Sequence, residues 1–426
     1  MAGEWRDVAL GDVADELTVG YVGPMASEYV DEGIPFLRSL NVDPLRINRN
    51  DLKFITPEFH QRIGKSRLSP GDVVIVRTGK PGACSVVPEW LPDANCSDIV
   101  IVRCGKQLDN RFLAYYVNTV ACNHIAAHLV GAVQQHFNVG SARTMRINLP
   151  PLASQKAIAS VLGSLDDMIE ANREINEILE EMARALFKSW FVDFDPVRAK
   201  LEGRQPAGMD AATAALFPDH FQDSELGQIP RGWRNATIGD ICEINNWSLG
   251  KNDKLDTLEY VEISEVNRGN IANVVTYHRG DEPSRARRRL RHGDTVLSTV
   301  RPDRGAYFLA LNPPENRVAS TGFAVVTPSK TPWSYVHAAM TQPDVSDHLG
   351  HLADGGAYPA VRPEIISAIE VVIPNTSVIL DAFQQVCAPL FEMAESNRLE
   401  SRELAALRDT LLPKLLSGEV RVVPMK

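Results

Sequence analysis

The amino-acid sequence predicts an α+β fold, in which two pseudo-repeated α/β domains are separated by two long antiparallel coiled-coil helices. Three observations carry that expectation. Landmarks recur once in register, strand-like runs leave tight turns, and two long stretches place a seam residue every three or four positions.

The repeat comes first. Trp5-Arg6-Asp7-Val8-Ala9-Leu10-Gly11-Asp12 is echoed by Trp233-Arg234-Asn235-Ala236-Thr237-Ile238-Gly239-Asp240. Leu68-Ser69-Pro70-Gly71-Asp72-Val73-Val74-Ile75 is echoed by Leu290-Arg291-His292-Gly293-Asp294-Thr295-Val296-Leu297, and Ile147-Asn148-Leu149-Pro150 by Val371-Val372-Ile373-Pro374. The offsets are 228, 222 and 224, so order and spacing both hold. Runs such as Val73–Val76 and Thr295–Ser298 leave a Gly-Asp turn and read as strands. Residues 110–129 have the apolar spacing of a helix. The expected organisation is a domain over 1–150, a helix over 151–195, a linker over 196–224, a second domain over 225–375 and a second helix over 376–420.

In the first helical stretch Val161, Leu165, Met168, Asn172, Ile175, Leu179, Met182 and Leu186 alternate spacings of four and three. Val386, Leu390, Met393, Asn397, Glu400, Leu404, Leu407 and Leu411 keep that rhythm in the second. Such a seam needs a partner helix. Asn172 and Asn397 share one seam position, where a polar residue fixes register at a cost in stability. Leu165, Leu179, Leu404 and Leu411 are the expected apolar pairing residues around them. Two such helices of about 60 Å, paired antiparallel, would make a spacer.

With 426 residues the chain exceeds one ordinary core, and 44% hydrophobic and 23% charged residues are usual for a globular protein. No apolar run approaches the ~18–20 residues of a membrane span, and the opening MAGEWRDVAL lacks a signal-peptide core, so a cytoplasmic location is expected. Six cysteines form no Cys-x-x-Cys pair, which points to buried free thiols and no metal site. Net charge is −10, but residues 151–224, with 7 basic and 13 acidic side chains, carry −6 of it. The stretches 1–150 and 225–375 stand at −1 and −2, with 15 and 16 basic residues, so either could place positive charge on one face.

Catalytic motifs are lacking. No Gly-x4-Gly-Lys-Ser/Thr phosphate loop occurs, and no Gly-x-Gly-x-x-Gly follows a strand. Asn312-Pro313-Pro314-Glu315 is similar to the Asn-Pro-Pro-aromatic signature of amino-methyltransferases, yet Glu315 stands where a stacking aromatic would be needed. No catalytic residue and no metal ligand is assigned.

The basic segments are the candidate nucleic-acid contacts. Arg285, Arg287, Arg288 and Arg289 belong to a run with five arginines in seven positions, and arginine suits both phosphate and guanine edges. The strand-end loops Arg77-Thr78-Gly79-Lys80 and Arg301-Pro302-Asp303-Arg304 add Arg77, Thr78, Lys80, Arg301 and Arg304. Gln134 and Gln135, and Tyr358, lie at corresponding places before each long helix.

Two further runs carry a family resemblance. Leu186-Phe187-Lys188-Ser189-Trp190-Phe191-Val192-Asp193-Phe194-Asp195-Pro196-Val197 and Ser224-Glu225-Leu226-Gly227-Gln228-Ile229-Pro230-Arg231-Gly232-Trp233 resemble the specificity (S) subunits of type I restriction–modification systems. The ending Leu411-Leu412-Pro413-Lys414-Leu415-Leu416-Ser417-Gly418-Glu419-Val420 fits the same family. The resemblance implies a non-catalytic subunit with two target-recognition domains, each reading one part of a split double-stranded DNA sequence. It implies helices that set the gap and dock two methyltransferase subunits, with translocase–nuclease subunits completing the enzyme. S-adenosylmethionine, ATP and Mg2+ would then belong to the partners, and no cofactor to this chain. A rod-like coiled-coil scaffold without DNA is the alternative that the architecture leaves open.

Overall fold

A computed structural model describes residues 4–127, 137–250, 252–354 and 359–422. The chain divides into two compact units, residues 1–170 with 401–426, and residues 171–400. Helices and strands mix in both, as the α+β expectation requires.

In the first unit a four-stranded antiparallel sheet runs in the order 84–86, 73–76, 99–104, 14–19. A second sheet is ordered 29–30, 53–55, 34–37, 94–96, 67–68, with the 34–37 and 94–96 strands parallel. The second unit repeats this plan with 307–310, 294–298, 323–328, 242–244 and with 275–278, 257–261, 317–320, 286–289, where 257–261 and 317–320 are again parallel. The sequence landmarks pair with one another: Arg6–Ala9 lies antiparallel to Arg146–Leu149, and Trp233–Thr237 to Glu370–Pro374. The Gly-Asp landmark is one recurring turn, in which Asp72 accepts from the Ser69 amide at 2.9 Å and Asp294 from the Arg291 amide at 2.6 Å.

Asp294 is 1% exposed, and burial pushes its carboxyl up to about 6 from an ordinary 3.8. Because the folded value lies above the unfolded one, the stability tied to this group is full below about pH 4 and is lost as pH rises through 6. Unfolding of the second unit should therefore become easier by ~3 kcal/mol across that window. Asp294→Asn keeps an acceptor for the Arg291 amide and should flatten the profile. Urea titrations between pH 4 and 7 check this, and parallel slopes in both proteins would refute it.

Both long helices form as expected: α1 (Leu152–Phe191) and α2 (Val378–Ser417), each of 40 residues. In the second unit the Asn172 amide donates to Asn397 O at 3.4 Å and to Glu400 Oε2 at 3.0 Å, and that of Asn176 to Ala394 O at 3.0 Å. Partners descend along α2 as they ascend along α1, so these segments are antiparallel. In the first unit Arg408 donates to Asp166 at 2.7 Å.

The seam differs from the expectation in phase. Leu165, Asn172, Leu179 and Leu186 lie inside or half inside, but Val161, Met168, Ile175 and Met182 are exposed. Their seam places are taken by Leu162, Ile169, Asn176 and Ala183, one residue further on, all buried. In α2, Leu390, Asn397, Leu404 and Leu411 are half-buried while Val386, Met393 and Leu407 are exposed. The spacing is still four and three, taken in the other order.

Asn176, 8% exposed, accepts from the Asn397 amide at 2.9 Å. Asn397→Leu alone should strand that buried oxygen and cost about 1–3 kcal/mol. Replacing Asn172, Asn176 and Asn397 together by Leu should regain the loss while loosening register. Thermal unfolding of the two variants checks the order, and a single variant more stable than the triple would contradict it.

Unit cores are unequal. In the second, Phe187, Trp190, Phe191 and Phe194 pack with Phe217, Trp233, Tyr335 and Phe383. The first gathers Phe112, Phe137, Ile147 and Leu162 with Leu412, Leu415 and Leu416 from the end of α2. Among the described residues no helix is long and apolar enough to cross a membrane, and no His/Cys/Asp/Glu cluster could hold a metal ion. Cys84, Cys96, Cys242 and Cys387 are buried free thiols, Cys104 is half-buried, and burial raises all five pKa values.

Candidate nucleic-acid interface

The arginine run forms a strand, Ala286–Arg289, at the edge of its sheet. It pairs with 317–320, and its register slips between Ala286 and Arg288. Such a bulge turns successive side chains out of the alternation a regular strand would impose. On its other edge the segment 247–249 crosses it, through Leu249 N to Arg287 O at 2.7 Å and Arg289 N to Trp247 O at 3.2 Å.

The five arginines consequently have different surroundings. Arg289 is buried; it meets Asp253 at 3.3 Å, Glu315 Oε1 at 3.7 Å and Glu315 O at 3.2 Å, with its guanidinium 4.1 Å from the Trp247 ring centre. Arg291 also lies over Trp247, at 4.8 Å. Arg287 donates to Ser284 O at 3.2 Å and stands 3.7 Å from Glu282. Arg288 is half-buried, its Nε has no hydrogen-bond partner, and no carboxylate lies within ion-pairing distance among the described residues. Burial alone lowers its pKa. Arg285 is exposed and likewise without an ion pair among them. Such a guanidinium, part desolvated and facing no anion of its own, is prepared to receive one.

The second basic turn lies beside the first. Thr321 N donates to Arg285 O at 2.8 Å and Thr299 N to Gly322 O at 2.9 Å, so one turn at 320–322 joins both segments. Arg301 is left-handed, with φ 47°, and its amide donates to Pro359 O at 2.8 Å. A non-glycine residue held there costs of order 1 kcal/mol, which marks a conformation the surroundings impose. Arg304 is exposed at the end of the 3-10 turn Pro302–Arg304.

In the first unit Arg77, Thr78 and Lys80 share the turn after Val73–Val76. Arg77 donates to Phe137 O at 2.9 Å and pairs with Asp98, while Lys80 is exposed and 3.2 Å from Asp43. Gln134, Gln135 and Tyr358 lie outside the described residues. The Asn312-Pro313-Pro314-Glu315 stretch is a loop whose last carbonyl anchors Arg289. Trp247 and Asn176 escaped the sequence reading. A lone Trp in the polar run Asn245-Asn246-Trp247-Ser248, and an Asn four residues after Asn172, were the available signals.

Two α+β units of one plan, each with basic turns at strand ends, and paired helices define a class of chain built to present two similar surfaces. Residues 3–181 match the family model described as the type I restriction modification DNA specificity domain. The chain is 26% identical over 331 residues to the type I restriction enzyme HindI specificity subunit of Haemophilus influenzae, covering 66% of this chain and 70% of that one. To the MjaVIII specificity subunit of Methanocaldococcus jannaschii it is 20% identical, over 98% of this chain and 93% of the relative. The crystal structure of the type I S subunit from M. genitalium shares the fold, with TM-score 0.55 at 15% identity over 97% and 96% of the two chains. Residues 3–181 thus match a type I restriction–modification DNA specificity domain, and over nearly its whole length the chain is similar to specificity subunits of such systems.

Proposed function

We propose that this chain reads a split, asymmetric double-stranded DNA target, with residues 1–150 reading one part and 225–375 the other. In this reading 151–195 and 376–420 are the spacer helices and 196–224 the linker between the halves. The observation that carries it is Arg288, a half-buried guanidinium with no carboxylate partner among the described residues, on the strand that follows exposed Arg285, which the 320–322 turn joins to the segment bearing Arg301 and Arg304. Arg285, Arg287, Arg288, Arg301 and Arg304 are the contacts assigned to the second unit, and Arg77, Thr78 and Lys80 to the first. Arg289 serves by holding Trp247 and the strand in place. Gln134, Gln135 and Tyr358 keep their assignment on sequence grounds.

The helices dock two methyltransferase subunits, and translocase–nuclease subunits complete the complex in the cytoplasm. The exposed apolar row Met168, Ile175, Ile178 and Met182 on α1 supports a docked partner there. S-adenosylmethionine, ATP and Mg2+ would sit in those partners. With a net charge of −10 the chain needs them to supply part of the phosphate contact.

Comparing the methylomes of a host with and without this gene, by single-molecule sequencing, tests the reading. Loss of one split motif with the gene is the expected result. An unchanged methylome, with the partner subunits shown to be expressed, would overturn it.

A further inference from the structure

Each unit carries a short hairpin that neither the repeat landmarks nor the recognition turns include. In the first unit Val42–Asp43 pairs with Arg46–Ile47, and in the second Val266–Asn267 with Asn270–Ile271, every position offset by 224. Both turn through a left-handed residue at the same place, Leu45 with φ 64° and Gly269 with φ 81°. Both donate the same backbone hydrogen bond, Leu45 N to Cys84 O at 2.8 Å and Gly269 N to Tyr307 O at 2.7 Å. The acceptors stand on the strands that follow the turns 77–82 and 301–305.

Each hairpin touches a basic turn on one side and long-helix side chains on the other. In the first unit Asp43 holds Lys80 at 3.2 Å, while Arg46 Nε lies 3.0 Å from Glu170 of α1. In the second unit Arg268 N donates to Gly305 O at 2.7 Å. A Cβ added to Gly269 would come within 2.9 Å of Arg398 Nη2 and 3.4 Å of Glu180 Oε1, so the hairpin backbone rests on the Glu180–Arg398 ion pair. Glu395, 3.4 Å from Arg398, stands 225 residues after Glu170. One connection, built from different side chains, thus occurs in both units.

We propose that these hairpins are struts that hold each basic turn in fixed orientation on the long helices, with Arg46 and Glu170 in one unit and Glu180 and Arg398 in the other as positioning residues. The proposal rests on the DNA reading given above. A turn only 1 Å or so out of place loses base contacts while its phosphate contacts survive, so the expected defect is in discrimination and not in assembly. Arg46 and Glu170 are both partly exposed, and a pair of that kind contributes little to stability.

The test uses the full complex in its host, with the methylome as readout. Arg46→Ala and Glu170→Ala should each raise methylation at sites mismatched in one half of the motif by about tenfold, leaving the other half as strict as in the wild type. The exchanged pair R46E/E170R should restore the lost discrimination. Wild-type strictness in all three variants, or equal relaxation of both halves, would overturn the strut. A wild-type methylome with no split motif would overturn the DNA reading and the strut with it.

Discussion

Neutralising Arg287 and Arg288 together should weaken duplex binding by the assembled complex about a hundredfold, at ~1–3 kcal/mol for each lost contact. The fold should tolerate the change. Arg288 has no ion pair among the described residues to lose, and removing a half-buried guanidinium relieves a desolvation cost. Arg287 gives up a 3.7 Å approach to Glu282, worth little in solvent. Binding measured across a salt series also says what the arginines touch. A loss equal on all sequences, with the salt slope reduced by about 1 for each arginine removed, means phosphate; relaxed preference at one base pair means a base edge. Unchanged affinity would reduce both residues to surface charge. Arg289→Ala should behave differently, because it leaves Asp253 unpaired and uncovers Trp247; reduced stability is expected first.

Phe383→Ala should destabilise the second unit by about 3–5 kcal/mol. Its ring is fully buried, with centres 5.1 Å from Phe191, 5.7 Å from Trp190 and 6.1 Å from Phe187. Truncation opens a cavity among rings too rigid to collapse into it, and the edge-to-face contacts are lost as well. Chemical denaturation followed by tryptophan fluorescence measures the effect, since Trp190 and Trp233 both report from this cluster. A loss under 1 kcal/mol would mean that the rings repack.

Much of the fold was legible because its signals are local and repeated. Trp5 and Trp233 announce the strands Arg6–Ala9 and Trp233–Thr237, and the Gly-Asp turns announce Val73–Val76 and Asp294–Ser298. The seam phase was not legible, since both candidate rows on α1 are apolar enough. Met168 and Ile175 look like interior residues, and only three-dimensional packing shows that Ile169 and Asn176 take that place. The two-residue strands of the hairpins carry no periodicity, so nothing in the sequence marked them. Arginine-rich composition located the basic edge strand but could not separate Arg288 from Arg289. Their difference arises from a bulge and from Trp247, forty residues away in sequence.

The first unit is assembled from both ends of the chain, with Leu412, Leu415 and Leu416 packed against Ile158 and Leu162. The second is one continuous stretch, 171–400. During synthesis the order of completion is therefore the reverse of the order of translation. The N-terminal half must wait, at 5–20 residues per second, roughly 10–50 s for the helix end that closes its core. A nascent chain arrested before residue 401 should hold a finished C-terminal unit beside an N-terminal one still lacking a wall.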